Sequence, residues 1–219
     1  MAKLRAHNLS ISLDGMGSGV NRSLEEPFGH AKERLHEWFI PTQTFQSLVG
    51  NEMRVPLDEA AAEDDVFARR AFDGLGAEIM GAGKYGPPGW EEDPSWSGWW
   101  GEEPPFHSPV FVLSHRKRES QTVGETTFHF IDASPQEALE AAAAAAGGLD
   151  VRLGGGVLSV REFLRAGLVD YLHVALVPIL LGRGDRLWEG LEGMERNYSI
   201  ASTSTSSGVT HLEFTRIES

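Results

Sequence analysis

The chain contains no cysteine. Disulfides, thiolate metal sites and a cysteine nucleophile are therefore excluded, and the expected compartment is a reducing cytoplasm. It also has no run of about 18 apolar residues, the length a membrane-spanning helix needs. The opening stretch MAKLRAHNLSISLDG lacks the apolar centre of a secretory signal. Basic charge is scarce: 19 Lys and Arg face 32 Asp and Glu, for a formal net charge of −13. A field of that sign opposes a nucleic-acid backbone, which needs a basic patch to release its counterions. Neither nucleic acid nor membrane is an expected partner. The eight histidines include no H-x-x-x-H spacing, so no metal site is expected. No G-x-S-x-G elbow supports hydrolase chemistry either. With no internal repeat and no linker, the 219 residues predict one domain spanning 1–219.

What is present is an alternation of strand and helix patterns. Leu9, Ile11 and Leu13 alternate with Ser10 and Ser12, which predicts a strand over 4–13 stopping at Asp14-Gly15. Residues 16–57 are irregular, with a short helix expected around HAKERLHEWF. So long a segment reads as a functional loop or lid. DEAAAEDDVFARRAFDGLG predicts a helix ending near Gly74, followed by a short strand AEIMGAG. A proline-, glycine- and tryptophan-rich connection leads to PVFVLS, an apolar run of the kind covered on both faces. Ser134 and Glu137 form a capping box with Pro135 at the first helical position, and Gly147-Gly148 supply the stop. LDVRL predicts a strand, 157–166 a helix closed by Gly167, YLHVALVPILL a buried strand and the tail a hairpin turning near Ser207-Gly208. The pattern implies an α/β sheet with an antiparallel edge at the C-terminus.

Three features could carry chemistry. In DVRLGGGVLSV, Gly154, Gly155 and Gly156 separate a strand from a helix. A G-x-G-x-x-G fingerprint would need glycine where Ser159 stands, and no P-loop motif occurs. A helix N-terminus behind bare glycines still offers free N–H groups and a positive dipole end to an anion. The alternative is that the glycines only allow close strand-to-helix packing. The basic cluster HRKR, His115–Arg118, suits one small anion or a solvated turn. Asp14, closing the first strand, either orients or protonates a substrate or caps its own turn. Trp90, Trp96, Trp99 and Trp100 could wall a flat heteroaromatic ligand, pack the core or cover a dimer interface. His173, inside an apolar strand, reads as a satisfied core histidine.

The stretch VRLGGGVLSVREFLRAGLVDYLHVALVPILLGRGDRLWEGL resembles the C-terminal signature of the dihydrofolate-reductase-like superfamily. Within it, the chain is most similar to the family of the reductase (RibD C-terminal) domain of the riboflavin-biosynthesis deaminase/reductase. SISLDG, SLEEPFG…LHEWF, GAEIMG and WWGEEPPFHSPVFVLSH extend the resemblance along nearly the whole chain. The resemblance implies a three-layer α/β/α sandwich with a mostly parallel sheet and an antiparallel C-terminal strand. It implies NADPH as cofactor and hydride transfer to a small heterocyclic or ribosylated substrate, as in reduction of 5-amino-6-(5-phosphoribosylamino)uracil. A dihydrofolate-reductase-type enzyme and a non-catalytic nucleotide-binding or structural relative remain open.

Carried over by position, Gly154, Gly155, Gly156, Val157 and Leu158 would meet the pyrophosphate, and Ser114, His115 and Arg116 the adenosine ribose and its 2′-phosphate. Gly81 and Lys84 join this cofactor set. Ser12, Asp14, Glu25 and Phe28 are the expected substrate contacts, with Asp14 the candidate catalytic residue. The chain departs from the pattern at Gly81-Ala82-Gly83-Lys84, where Ala82 stands in place of a cofactor-contacting arginine. That departure admits NADH as an alternative cofactor. A homodimer is also implied, with YLHVALVPILL and the C-terminal hairpin as candidate interface.

Overall fold

The computed structural model describes residues 2–51 and 57–218; residues 52–56 of the predicted loop lie outside it. The strands are β1 (Leu4–Ser12), β2 (Met16–Ser18), β3 (Leu75–Gly81), β4 (Pro109–Leu113), β5 (Gln121–Val123), β6 (Thr126–Ile131), β7 (Asp150–Leu153), β8 (Tyr171–Val177), β9 (Asp185–Arg186), β10 (Tyr198–Ser204) and β11 (Thr210–Arg216). The helices are α1 (Gln43–Leu48), α2 (Glu59–Arg69), the single turn α3 (Ala82–Tyr85), α4 (Pro135–Ala145) and α5 (Val157–Arg165).

Among the described residues, nine strands form one sheet in the order β10-β11-β8-β1-β7-β3-β4-β6-β5. The six from β8 to β6 run parallel, while β11, β10 and β5 are antiparallel to their neighbours. The sheet is thus mostly parallel, as predicted, but both of its edges are antiparallel rather than the C-terminal one alone. The β5–β6 hairpin escaped the sequence pattern because Thr127 and His129 break the apolar run of β6. A polar alternation of that kind marks a strand near a sheet edge.

Alternation along the buried strands divides the core between the two faces. Leu172 and Val174 of β8 pack with Val160 and Phe163 of α5, whereas Ala175 and Val177 pack with Ala31, Leu35, Trp38 and Ala68. In β4, Phe111 joins the α5 side and Val110 and Val112 face Tyr85, Trp90 and Phe128. Truncating a fully buried ring such as Phe163 would cost about 3–5 kcal/mol. β8 lies between β1 and β11, so both of its edges are paired within the sheet.

The predicted helix starts hold where caps dictate them. Ser134 Oγ accepts from the Glu137 amide and the Glu137 carboxylate accepts from the Ser134 amide at 2.9 Å, closing the capping box of α4. The helix expected around HAKERLHEWF is instead a 3-10 segment, Gly29–Leu35, kinked at Lys32. Trp38 just beyond it is buried and donates to Ser10 Oγ at 2.9 Å, which pins this part of the loop to β1.

Candidate functional site

A cleft of about 770 Å³ opens at the carboxyl ends of β3, β4 and β7. This is where ligands sit in open parallel sheets. Its floor is the Gly154–Gly156 loop and the first turn of α5; α3, part of β1 and Gly17, Ser18, Gly19, Arg22, Pro27 and Phe28 form the walls.

The three glycines do different work. The Gly154 amide donates to Ile79 O at 2.8 Å, and the Gly81 amide donates to Gly155 O at 2.9 Å, so the ends of β3 and β7 stay zipped together. A Cβ on Gly154 would come within 2.0 Å of Glu78 Oε1 and 2.5 Å of Lys84 Nζ, so this position demands glycine for packing. Gly155 has φ +102°, a conformation natural to glycine, and a Cβ on Gly155 or Gly156 would meet nothing within 4 Å. Gly156 is the N-cap of α5 and no side chain caps that helix. The loop therefore leaves the positive end of a nine-residue helix uncovered at the cleft floor.

Beneath the loop lies a buried charge triad. Glu78 accepts from Lys84 Nζ at 2.8 Å and from Arg152 Nη1 at 3.3 Å, and the Arg152 guanidinium covers the Phe72 ring at 4.4 Å. Burial pushes the Lys84 ammonium below the ordinary lysine range, against the opposing pull of Glu78.

The RibD C-terminal domain family matches the chain over residues 7–217. The chain belongs to that family. Its fold is similar to that of a candidate riboflavin biosynthesis protein from Shewanella sp. PV-4, at 19% identity and a TM-score of 0.59 over the whole of both chains. It is also similar to that of a pyrimidine reductase-like protein from Corynebacterium diphtheriae. There the identity is 14% and the TM-score 0.50, over 100% of this chain and 93% of the other. At these identities the likeness concerns the fold, which is the dihydrofolate-reductase-like α/β arrangement. No curated protein sequence matches the chain.

Within the cleft, Gly81, Lys84, His115, Gly154, Gly155, Gly156, Val157, Leu158 and Phe28 are brought together. Other expected residues are placed elsewhere. Ser114 is buried, with its hydroxyl accepting the Arg116 amide at 3.1 Å. Arg116 pairs with Glu92 at 3.2 Å outside the cleft lining, and Arg118 turns inward to the Pro94 and Trp96 carbonyls beneath the tryptophan loop. His115 itself contacts Asp132 at 2.8 Å.

Ser12 and Asp14 serve the backbone. The Ser12 hydroxyl donates to Asp14 at 2.6 Å, and the Leu181 and Gly182 amides donate to the same carboxylate at 3.1 and 2.6 Å. The Ser12 bond first, then these amides, hold the Asp14 carboxyl at about 2, so it carries no proton to donate near neutrality. Neither residue is in the cleft lining, and the Asp14 carboxylate accepts the amides that close a turn. Glu25 is exposed and accepts from Ser23 Oγ at 2.9 Å, also outside the lining.

Among the cleft residues, His36 and Asn8 were not foreseen, whereas Trp99 and Trp100 fall under the ligand-wall reading. His36 packs against Phe28 with the ring centroids 4.6 Å apart and the planes tilted by 36°, and burial pushes its imidazole down to about 4, leaving it neutral. Trp99 and Trp100 line the cleft, while Trp90, Trp96 and Trp100 pack around Tyr85 and Phe128. Asn8, at φ +56° in a bulge of β1, donates its amide to His173 Nδ1 at 3.2 Å. His173 Nε2 lies 3.0 Å from His211 Nδ1, and His211 Nε2 lies 2.9 Å from the Asp64 carboxylate. A carboxylate can only accept, so the His211 Nε2 proton points to Asp64, while His173 Nδ1 accepts the Asn8 amide proton. His173 is thus a hydrogen-bonded core histidine, as its apolar surroundings predicted. Asparagine's tolerance of positive φ was the available signal for Asn8.

Proposed function

We propose that this chain is a reductase that takes NADPH and reduces a small ribosylated or heterocyclic substrate of the riboflavin pathway. The observation that carries the reading is the uncapped N-terminus of α5 beneath the open Gly155–Gly156 backbone, inside a cleft large enough for a dinucleotide. Membership of the RibD C-terminal domain family supports the reaction class. When bound, the nicotinamide supplies hydride to an electrophilic carbon.

The chain's own residues orient and exclude water. The amides of Val157 and Leu158 would meet the pyrophosphate. At the other end, His115 and Arg116 would turn from Asp132 and Glu92 to the 2′-phosphate. All four side chains are solvent-exposed, and such surface pairs are worth only about 0–1 kcal/mol, so the exchange costs little. Phe28, neutral His36, Trp99 and Trp100 give the substrate end a largely apolar wall. Protonation is left to water, because Asp14 holds no proton. The reading also carries a homodimer, for which the unpaired outer edge of β10 is the supporting surface, and a cytoplasmic location. Among the described residues no helix is long and apolar enough to cross a membrane.

The test is titration with NADPH and NADH, following nicotinamide fluorescence, then turnover of 5-amino-6-(5-phosphoribosylamino)uracil followed by loss of the reduced nicotinamide absorbance. Saturable micromolar NADPH binding with turnover is the expected result. Failure to bind either dinucleotide overturns the proposal, and binding without turnover of any ribosylated substrate would favour a non-catalytic relative.

A further inference from the structure

Four cationic or cation-forming side chains line the cleft among the described residues: Arg22, His36, Lys84 and His115. Lys84 is held by Glu78 and His115 by Asp132, each at 2.8 Å, and His36 is neutral. Arg22 differs from all of them. Among the described residues no carboxylate lies within ion-pair distance of it; Nε donates to Pro27 O at 3.0 Å and Nη2 donates to Gly83 O. A guanidinium has five N–H donors, so these two contacts leave three free and the charge uncompensated.

Its position matters as much as its charge. A Cβ built on Gly83 would lie 3.4 Å from Arg22 Nη1, so the guanidinium rests against the backbone of α3. Two residues earlier, Gly81 is bonded to Gly155, and a Cβ there would strike Ser159 Oγ in the first turn of α5 at 2.2 Å. The Arg22 guanidinium and the α5 N-terminus are therefore two positive poles linked through one short stretch, Gly81–Gly83. Between them Ala82 contributes only a methyl group.

We propose that Arg22, brought by the long loop, is the cation that contacts the dinucleotide's pyrophosphate in this chain, a role that rests on the dinucleotide reading above. Phosphate binding then trades the Gly83 carbonyl contact for a charge-assisted bidentate one. Both NADPH and NADH carry the pyrophosphate, so Arg22 sets affinity for the two alike and does not discriminate between them.

The experiment compares NADPH and NADH affinities of the wild-type chain with those of Arg22→Gln, Arg22→Lys and the double variant Arg22→Gln/Ala82→Arg, each at several salt concentrations. Removing one charged hydrogen-bonding group of this kind is expected to weaken both dinucleotides about 10- to 100-fold and to flatten the salt dependence of binding. Arg22→Lys, which keeps the charge but loses the fork, falls between. The double variant restores the charge from the neighbouring backbone and regains most of the affinity and the salt dependence. A merely structural role for Arg22 would move neither the salt dependence nor the rescue. If wild type binds and Arg22→Gln binds within twofold with unchanged salt dependence, the assignment is wrong. Should Arg22→Gln lower the melting temperature, a double variant as weak as the single one overturns it equally. A wild-type chain that binds neither dinucleotide defeats the underlying reading instead, and this inference with it.

Discussion

The two ends of the cleft solve the problem of holding an anion in opposite ways. At the glycine end the positive potential comes from backbone: an uncapped helix N-terminus under Gly155 and Gly156, with no side chain in front of it. At the HRKR end it comes from side chains, and each described contact of His115, Arg116 and Arg118 is already with a protein acceptor. In a chain of net charge −13, exposed cations readily find carboxylates. A helix dipole cannot be neutralised that way unless a side chain is placed on it. Backbone sites therefore stay poised for a ligand, whereas side-chain sites have to exchange partners to accept one.

The comparison can be broken most severely beneath the glycine end. Glu78→Gln leaves Lys84 and Arg152 without their buried carboxylate and is expected to cost about 3–5 kcal/mol, read as a lowered denaturant midpoint. An unchanged midpoint would mean that the triad does not support the loop. Next comes Leu158→Glu, at an exposed position in the first turn of α5. A carboxylate there suits the helix dipole, so the fold should be kept or slightly stabilised. The same charge repels a pyrophosphate by about 3 kcal/mol at close range, or about 100-fold in NADPH affinity.

Acid should separate scaffold from site. Burial, reinforced by Arg5, holds His7 at about 3, and burial holds His173 well below its ordinary value of 6.5. The unfolded chain binds protons at these two positions that the folded chain refuses. Their stabilisation is complete above about pH 6.5 and is lost as pH falls, for His7 toward about 3. Between about pH 7 and 5 His7 alone should cost about 2 kcal/mol, with His173 acting in the same direction, and a flat melting profile over that range would contradict the neutral assignment. The smallest effect belongs to the basic end. Arg116→Ala should leave the melting temperature unchanged, leave NADH binding alone, and weaken NADPH only about three- to tenfold. An equal loss for both dinucleotides would move Arg116 to the pyrophosphate.

This contrast also governs what could be read from the residues. The glycine loop was legible because a missing side chain in a strand-to-helix turn has few uses, and the α4 cap because its geometry is local. Arg118 was not legible: nothing in HRKR tells that one of four basic side chains turns under Trp90 and Phe130 while another stays outside. Asp14 could be read two ways, and the choice depended on amides 167 and 168 residues away. Arg22 carries no periodic signal at all, since its partner Gly83 is 61 residues distant and its loop has no regular repeat. Short-range constraints were visible; which charges find partners was decided by the topology that folds the loop over the sheet.

The most direct test of the account is amide hydrogen exchange of the wild-type chain with and without saturating NADPH. It predicts slowed exchange concentrated in 154–160 and in the loop around Arg22, with little change at the β10–β11 hairpin. Protection that leaves 154–160 untouched while NADPH is demonstrably bound would contradict the claim that the bare end of α5 is the anion site.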